Sequence, residues 1–190
     1  MKKAIVLLTL VPLFMSSAFL GHGEEYQLLH FLARLSSKAD DLTKQEKEEL
    51  LTGIGDTLER IQRSHLRLTS VIQSGEMDLR YQEGKLWMSK AEEDLKSIEA
   101  GMQQLKLLKE TPDELVASVV LFKCLKDLAM NLSAFNNEPS FASFVGDLAP
   151  ELILWTDPVF YRLYLLPLAH SKNMEVKPPK AEKKPTPKKK

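Results

Sequence analysis

Cysteine is almost absent from this chain, and its scarcity excludes several kinds of site. Cys124 is the only cysteine among 190 residues. The chain can therefore form no internal disulfide, no Cys-x-x-Cys-His haem attachment and no thiolate metal cluster. The residues around Cys124 are mostly aliphatic, a setting typical of a small buried hydrophobic side chain. We expect Cys124 to belong to the core.

Motifs for catalysis and metal binding are also lacking. The sequence has no Gly-x-Ser-x-Gly, no P-loop and no dinucleotide fingerprint. No His-x-x-x-His or Glu-x-x-His pair occurs, and His22, His30 and His170 have no metal-ligand spacing among themselves. The carboxylates are dispersed along the chain, which favours solvated surface over acid–base catalysis. The sequence predicts a protein that is not an enzyme and has no catalytic residues, metal site or cofactor.

The pattern of apolar residues indicates the fold class. No stretch alternates apolar and polar residues with a period of two, so we expect an all-α fold without strands. The length of 190 residues suits one domain with a substantial core. The predicted organisation is a signal peptide over residues 1–23, a helical bundle over 24–171 and a disordered basic tail over 172–190.

A long antiparallel helical hairpin over residues 43–110 is the central prediction. Apolar residues recur there at steps of three and four in two consecutive runs, as in a helix packed along a partner. Thr43 and Glu46 have the form of a capping box at the start, and Ser74-Gly75 is a suitable end for the first helix. The seam positions are Leu51, Ile54, Leu58, Ile61, His65, Leu68 and Ile72 in the first run, and Tyr81, Gly84, Met88, Ala91, Leu95, Ile98, Met102 and Leu105 in the second.

Two features of the first run can be interpreted in more than one way. Gly53 and Gly55 each cost about 1 kcal/mol relative to alanine in a helix interior, so the helix could break or bend there. His65 is a polar residue in the seam. With a turn near Gly75, residue numbers across the seam add up to about 150, which places Gly84 or Lys85 opposite His65. His65 either fixes the register of the hairpin or is a cofactor-binding residue.

A third helix and two shorter ones are predicted after the hairpin. Thr111-Pro112, with Glu114, indicates a helix start with Pro112 in the first turn. This helix is apolar around most of its circumference, so we expect it in the middle of the bundle. Two shorter helices should follow, the first interrupted at Pro150 and the second starting at Asp157-Pro158. The aromatic side chains of this last third are candidates for partner binding or for the core: Trp155, Phe160, Tyr161 and Tyr164.

The formal net charge of zero hides a separation of charge. Residues 24–171 carry 24 acidic and 16 basic side chains, whereas the segment from Lys172 onward has eight lysines and two glutamates. An acidic body with a basic tail makes nucleic-acid binding by the body unfavourable and places anionic partners at the tail. The candidates for contact with anionic lipid or an envelope polymer are Lys177, Lys180, Lys183, Lys184, Lys188, Lys189 and Lys190.

The first residues have the features of an export signal. Lys2-Lys3 precede an apolar run from Ala4 to Leu20, which indicates a secretory signal peptide; the alternative is an uncleaved membrane anchor, since 17 residues approach the length that spans a bilayer. The sequence therefore predicts an exported, periplasmic or secreted, non-enzymatic envelope protein that binds other macromolecules and could oligomerise. The alternative function is a small-ligand or cofactor-binding bundle centred on His65.

Overall fold

The computed structural model describes residues 20–36, 41–76 and 81–175. Within these ranges the chain forms helices and turns and no strand, which confirms the all-α prediction. None of the helices in these ranges is both long enough and apolar enough to cross a membrane. Residues 1–19 of the predicted signal peptide and residues 176–190 of the tail lie outside the described residues. The helices are α1 (Leu20–Ser36), α2 (Lys44–Ser74), α3 (Tyr81–Glu110), α4 (Leu115–Asn136), α5 (Pro139–Val145), α6 (Leu148–Leu154), a π-helical segment (Trp155–Leu165) and α7 (Leu166–Glu175).

Helix α2 begins and ends where the sequence signals predict. The Thr43 hydroxyl accepts a hydrogen bond from the Glu46 backbone N–H at 3.3 Å, and the Glu46 carboxylate accepts one from the Thr43 N–H at 2.8 Å. This is a complete capping box. At the other end Gly75 has φ +73°, a left-handed conformation that glycine adopts without steric cost.

The expected weak point in α2 does not interrupt the helix, which runs unbroken through Gly53 and Gly55. Gly53 lies against the indole of Trp155, where a Cβ atom would stand 2.7 Å from Cη2 of the ring. The missing side chain therefore lets the π-helical segment approach α2 closely. Packing of the Trp155 indole against this point offsets the low helix propensity of glycine.

The hairpin prediction is confirmed, with a shifted register. Helices α2 and α3 run antiparallel: Gly55 approaches Leu105, Leu58 approaches Gly101, and His65 contacts Ala91. Gly84 does not lie against His65, because the residue numbers that face each other across the seam add up to 156–160 rather than to about 150. The seam side chains that are buried are Leu51, Ile54, Leu58, Ile61, His65 and Leu68 in α2 and Ala91, Ile98 and Leu105 in α3.

Helix α4 begins three residues later than the Pro112 signal predicts. Thr111 belongs to the end of α3, since both its N–H and its hydroxyl donate to the carbonyl oxygen of Leu107 at 2.8 Å. Pro112 lies in the turn, and α4 starts at Leu115 with Glu114 as its N-cap. The Ser118 hydroxyl donates to the Glu114 carbonyl oxygen at 2.9 Å. The boundary was placed correctly, but its capping residues were assigned wrongly.

Helix α4 is not enclosed on all sides, contrary to the prediction. It packs against α3, α5, α6 and the π-helical segment. Its remaining side faces solvent although it is apolar: Val116 is 68% exposed and Met130 62% exposed. The apolar side chains of α4 are therefore divided between the core and an exposed surface.

The last third forms more continuous helix than predicted. Pro150 lies in the first turn of α6, and the interruption is instead at Gly146, which has φ +50°. From Leu148 to Glu175 the helical segments follow each other without a gap, with Pro158 inside the π-helical part. Pro158 has no N–H to donate to the helical hydrogen-bond pattern. The wider turns of a π-helix accommodate this missing hydrogen bond. Helix α7 extends past residue 171, to Glu175.

Candidate functional site

A polar cluster lies buried where α2, α3 and α4 meet. His65 of α2 is 2% exposed, and its Nε2 lies 2.7 Å from the carbonyl oxygen of Ala91 in α3. Asp94, one turn further along α3, is fully buried, and its Oδ1 accepts a hydrogen bond from Nδ2 of Asn131 in α4 at 2.6 Å. Nδ1 of His65 lies 3.8 Å from Oδ2 of Asp94. One line of polar contacts thus connects three helices.

The partners of His65 determine where its proton lies. A carbonyl oxygen only accepts hydrogen bonds, so Nε2 carries the proton and donates to Ala91. Nδ1 of the neutral ring is then an acceptor, and it faces Oδ2 of Asp94, which makes no hydrogen bond within the described part of the chain. The separation of 3.8 Å is longer than a hydrogen bond. A proton on Oδ2 gives both facing atoms compatible roles.

Burial shifts the ionisation of both side chains toward their neutral forms. Desolvation raises the pKa of Asp94 from 3.8 to about 7, although the hydrogen bond from Asn131 and the charge of Lys90 oppose the rise. Desolvation also lowers the pKa of His65 below its usual 6.5, against the effect of the hydrogen bond to Ala91. Both groups are therefore shifted toward their neutral forms, and Asp94 is about half protonated at neutral pH.

This geometry favours the structural interpretation of His65 over the ligand interpretation. Its Nε2 is already bound to the Ala91 carbonyl, and its ring packs edge-on against Phe135 with centroids 6.0 Å apart. A cofactor atom would have to displace one of these contacts. Among the described residues no three His, Cys, Asp or Glu side chains are arranged to hold a metal ion. His65 with Asp94 and Asn131 fixes the alignment of α2, α3 and α4.

Asn131 and Cys124, both on α4, have structural roles as well. Asn131, in a tripeptide that matches a glycosylation acceptor, uses its amide to bind Asp94. Cys124 is buried, and burial raises the pKa of its thiol. The aliphatic surroundings of Cys124 predicted its place in the core, whereas Asn131 is only partly buried.

Most of the aromatic partner candidates lie in the core, which corrects the surface interpretation of three of them. Trp155, Phe160 and Tyr164 are at most 2% exposed. The Tyr164 hydroxyl donates to the Pro112 carbonyl oxygen at 2.7 Å, and burial raises the pKa of this phenol. Tyr161 alone is on the surface, 39% exposed, and stacks on Phe122 with ring centroids 5.3 Å apart. Of these four aromatic side chains, only Tyr161 can contact a partner without opening of the bundle.

Tyr161 borders an apolar surface that the sequence did not predict. Helix α4 runs antiparallel to α6 and the π-helical segment, as shown by the Phe122–Tyr161 stack and the ion pair of 3.5 Å between Lys126 and Asp157. Between them lies a groove of about 370 Å³. Met130 and Ile153 line this groove. We call the exposed apolar side chains of α4, together with those of Ile153 and Tyr161, the α4 face: Val116, Val119, Val120, Met130, Ile153 and Tyr161.

Comparisons with known proteins identify no family. No protein-family model matches the chain, and searches of curated proteins and of solved structures gave no match. The lysines predicted to contact anionic surfaces, Lys177 to Lys190, lie outside the described residues. The fold and the site therefore define a class only: an all-α bundle with a buried polar cluster that joins three helices and an apolar face on α4.

Proposed function

We propose that this protein is a non-enzymatic, exported envelope protein that binds a partner protein through the α4 face. The observation that supports the proposal is the exposure of large apolar side chains on a helix whose other sides are buried. Met130 is 62% and Val119 49% exposed, and both lie on the outer side of α4. Exposed apolar side chains grouped on one side of a helix are found at protein interaction sites, and here the Lys123–Asp127 ion pair lies between Val120 and Met130.

The charges beside the α4 face favour a protein partner over a polyanion. Lys123 pairs with Asp127 at 2.9 Å, and Lys126 pairs with Asp157 at 3.5 Å. These four charges cancel, while residues 24–171 together carry eight more acidic than basic side chains. A neutral apolar surface on an acidic body repels anionic polymers at long range and gains free energy by burying apolar area.

The shape of the α4 face favours an amphipathic helix as the occupant. Two antiparallel helices leave a groove into which the ridge of a third helix packs. The exposed positions of α4 extend from Val116 to Met130, about four turns of helix, which matches the helix-in-groove mode of recognition. We therefore expect the partner to present a helix with one apolar side.

Site-specific photo-cross-linking in intact cells tests this proposal. A photoreactive residue at position 130 should cross-link to an amphipathic helix of one protein, whereas the same residue at position 86 should not. Leu86 is a matched control because it is a similarly exposed apolar side chain, 57% exposed, on a different helix, α3. Cross-links of equal yield from both positions, or from neither, would refute the proposal. A cross-link to a second copy of this chain would instead make the α4 face a homodimer interface.

Export and tethering are the remaining parts of the proposal, and they depend on the two ends of the chain. Mass spectrometry of the mature N-terminus tests export: loss of Met1 to about residue 20 supports signal cleavage, and an intact Met1 means an anchor.

Tethering through Lys177 to Lys190 is a screened Coulomb attraction, so binding to anionic vesicles should fade as salt is raised to about 1 M. Equal vesicle binding by the full chain and by a chain ending at Glu175 would exclude tethering.

A further inference from the structure

The arginines of this chain are concentrated on one side of α2. Arg60, Arg63 and Arg67 are three of the six arginines in the sequence, and their spacing of three and four places them on one helix face. They look across a groove of about 620 Å³ toward α5 and α6, a volume typical of sites for small organic ligands. The groove is lined by Arg60, Arg63, Ser64, Arg67, Ser143, Phe144 and Leu148.

Positive charge in the groove is only partly compensated. Arg60 is paired with Glu151, which attaches α2 to α6. Arg63 lies 3.7 Å from Glu59, but both side chains are more than half exposed, and a pair of this kind is weak. Arg67 is exposed and forms no ion pair with the acidic side chains that the structure describes. The lining itself contains no carboxylate, so an incoming anion competes only with the weak Glu59 pair for Arg63 and with no described ion pair for Arg67.

The opposite wall of the groove is apolar and held in place. Phe144 and Leu148 are half-buried there. The Ser64 hydroxyl donates a hydrogen bond to the carbonyl oxygen of Phe144, which joins α2 to α5. Ser143 is exposed and adds a hydroxyl donor at the same wall. A ligand in the groove therefore meets guanidinium groups on one side and apolar side chains on the other.

We propose that this arginine groove binds a phosphate ester that carries an apolar group. Guanidinium forks bind two oxygens of a phosphate at once, so Arg63 and Arg67 hold the phosphate. Phe144 and Leu148 contact the apolar part. The same chemistry occurs in a soluble phosphate ester and in the headgroup region of a phospholipid. The site is distinct from the α4 face, with which it shares no residue.

Calorimetry on the purified full-length protein tests the ligand chemistry. Hexyl phosphate should bind at least about tenfold more tightly than inorganic phosphate, because its alkyl chain is buried against the apolar wall. Hexanol should bind weakly, because it has no charge for the arginines. Absence of hexyl phosphate binding, or equal binding of hexyl phosphate and inorganic phosphate, overturns the proposal.

Paired variants test the residues. Arg63→Gln with Arg67→Gln should weaken hexyl phosphate binding at least about tenfold. Arg63→Lys with Arg67→Lys keeps the charge but loses the fork geometry, so it should also weaken binding, though less. Lys85→Gln with Lys96→Gln removes the same charge from exposed positions of α3 and should have no effect. Arg60 is left intact because it holds Glu151.

The thermal midpoint of each variant confirms that the fold is retained. A loss in the lysine control equal to that in the arginine variants would show that only net charge matters and would overturn the groove. Vesicles of phosphatidic acid in phosphatidylcholine then distinguish the sources. Vesicle binding that falls in the Arg63→Gln, Arg67→Gln variant identifies a phospholipid headgroup. Binding of hexyl phosphate with vesicle binding equal in the wild type and that variant identifies a soluble phosphate ester.

Discussion

At the scale of single residues, Asp94 is the position where burial and charge conflict most. Its carboxyl group is fully buried, and one of its oxygens makes no hydrogen bond in the described part of the chain. A carboxylate in this place costs several kcal/mol unless it takes up a proton. The pKa of about 7 therefore makes the stability of the whole bundle depend on pH near neutrality.

Replacing this carboxyl by an amide should remove that pH dependence. The folded state holds the Asp94 proton more tightly than the unfolded state, so the wild type should lose stability as pH rises from 3.8 to about 7. Asp94→Asn keeps an oxygen for the Asn131 amide and should be more stable than the wild type above that range, by about 2 to 4 kcal/mol. Urea unfolding at several pH values measures the difference.

Two features sharpen the Asp94 experiment. His65 acts in the opposite direction, because its lowered pKa makes the folded state lose stability as pH falls below 6.5. Asp113→Asn is a control: the Lys47 ammonium lowers the pKa of Asp113, so this group titrates below the range in question. If the free energy of unfolding depended on pH in Asp94→Asn as it does in the wild type, Asp94 would not ionise in this pH range.

Gly53 and Gly55 provide a matched pair of substitutions in one helix. A Cβ at Gly53 would lie 2.7 Å from Cη2 of Trp155, whereas one at Gly55 would lie 3.8 Å from Leu105. Gly53→Ala should destabilise the protein by about 1 to 3 kcal/mol through overpacking. Gly55→Ala should stabilise it by up to about 1 kcal/mol. Chemical denaturation distinguishes them, and equal effects of the two substitutions would contradict the close approach of Trp155.

At the scale of helices, the capping box at the start of α2 can be removed by a single substitution. Thr43→Ala deletes the acceptor for the Glu46 N–H and should lower the free energy of unfolding by about 1 kcal/mol. Thr43→Ser retains the hydroxyl and should cost much less. Glu46 also pairs with Arg34 of α1, so the loss should include some loosening of α1. Equal stability of all three proteins in urea unfolding would mean that the capping box has no energetic role.

Helix ends could be predicted where the signal is local. The Thr43–Glu46 capping box and Gly75 act within a few residues, so sequence alone located both ends of α2. The Pro112 signal was misread because a threonine before a proline fits a helix start as well as the turn it occupies here. The wide turns around Pro158 depend on packing against α1, α4 and α7, which no local pattern encodes.

The candidate sites were less predictable for the same reason. His65 was recognisable as a polar residue in an apolar seam, but the other members of its cluster, Ala91, Asp94 and Asn131, come from two other helices. The turn was predicted too close to Gly75, so Gly84 rather than Ala91 was expected opposite His65. The α4 face was hidden because exposed and buried apolar residues look alike in a sequence, and only the packing of α4 tells Met130 from Leu128.

At the scale of the whole molecule, charge and apolar surface are separated. The body is acidic, the basic residues from Lys172 onward follow it in sequence, and the α4 face is neutral and apolar. The arginine groove lies on α2, next to α5 and α6. Each proposed contact therefore has its own surface, and a variant at one surface should leave binding at the others unchanged.

The most direct test of the central proposal is the affinity of the purified protein for the partner that position 130 cross-links. Met130→Glu places a charge in the α4 face and should weaken the complex at least about tenfold, since a charged group buried at an interface is costly. Leu86→Glu, at a similarly exposed position of α3, should leave the dissociation constant within about twofold. Equal affinities of the two variants and the wild type would contradict the assignment of the α4 face as the binding surface.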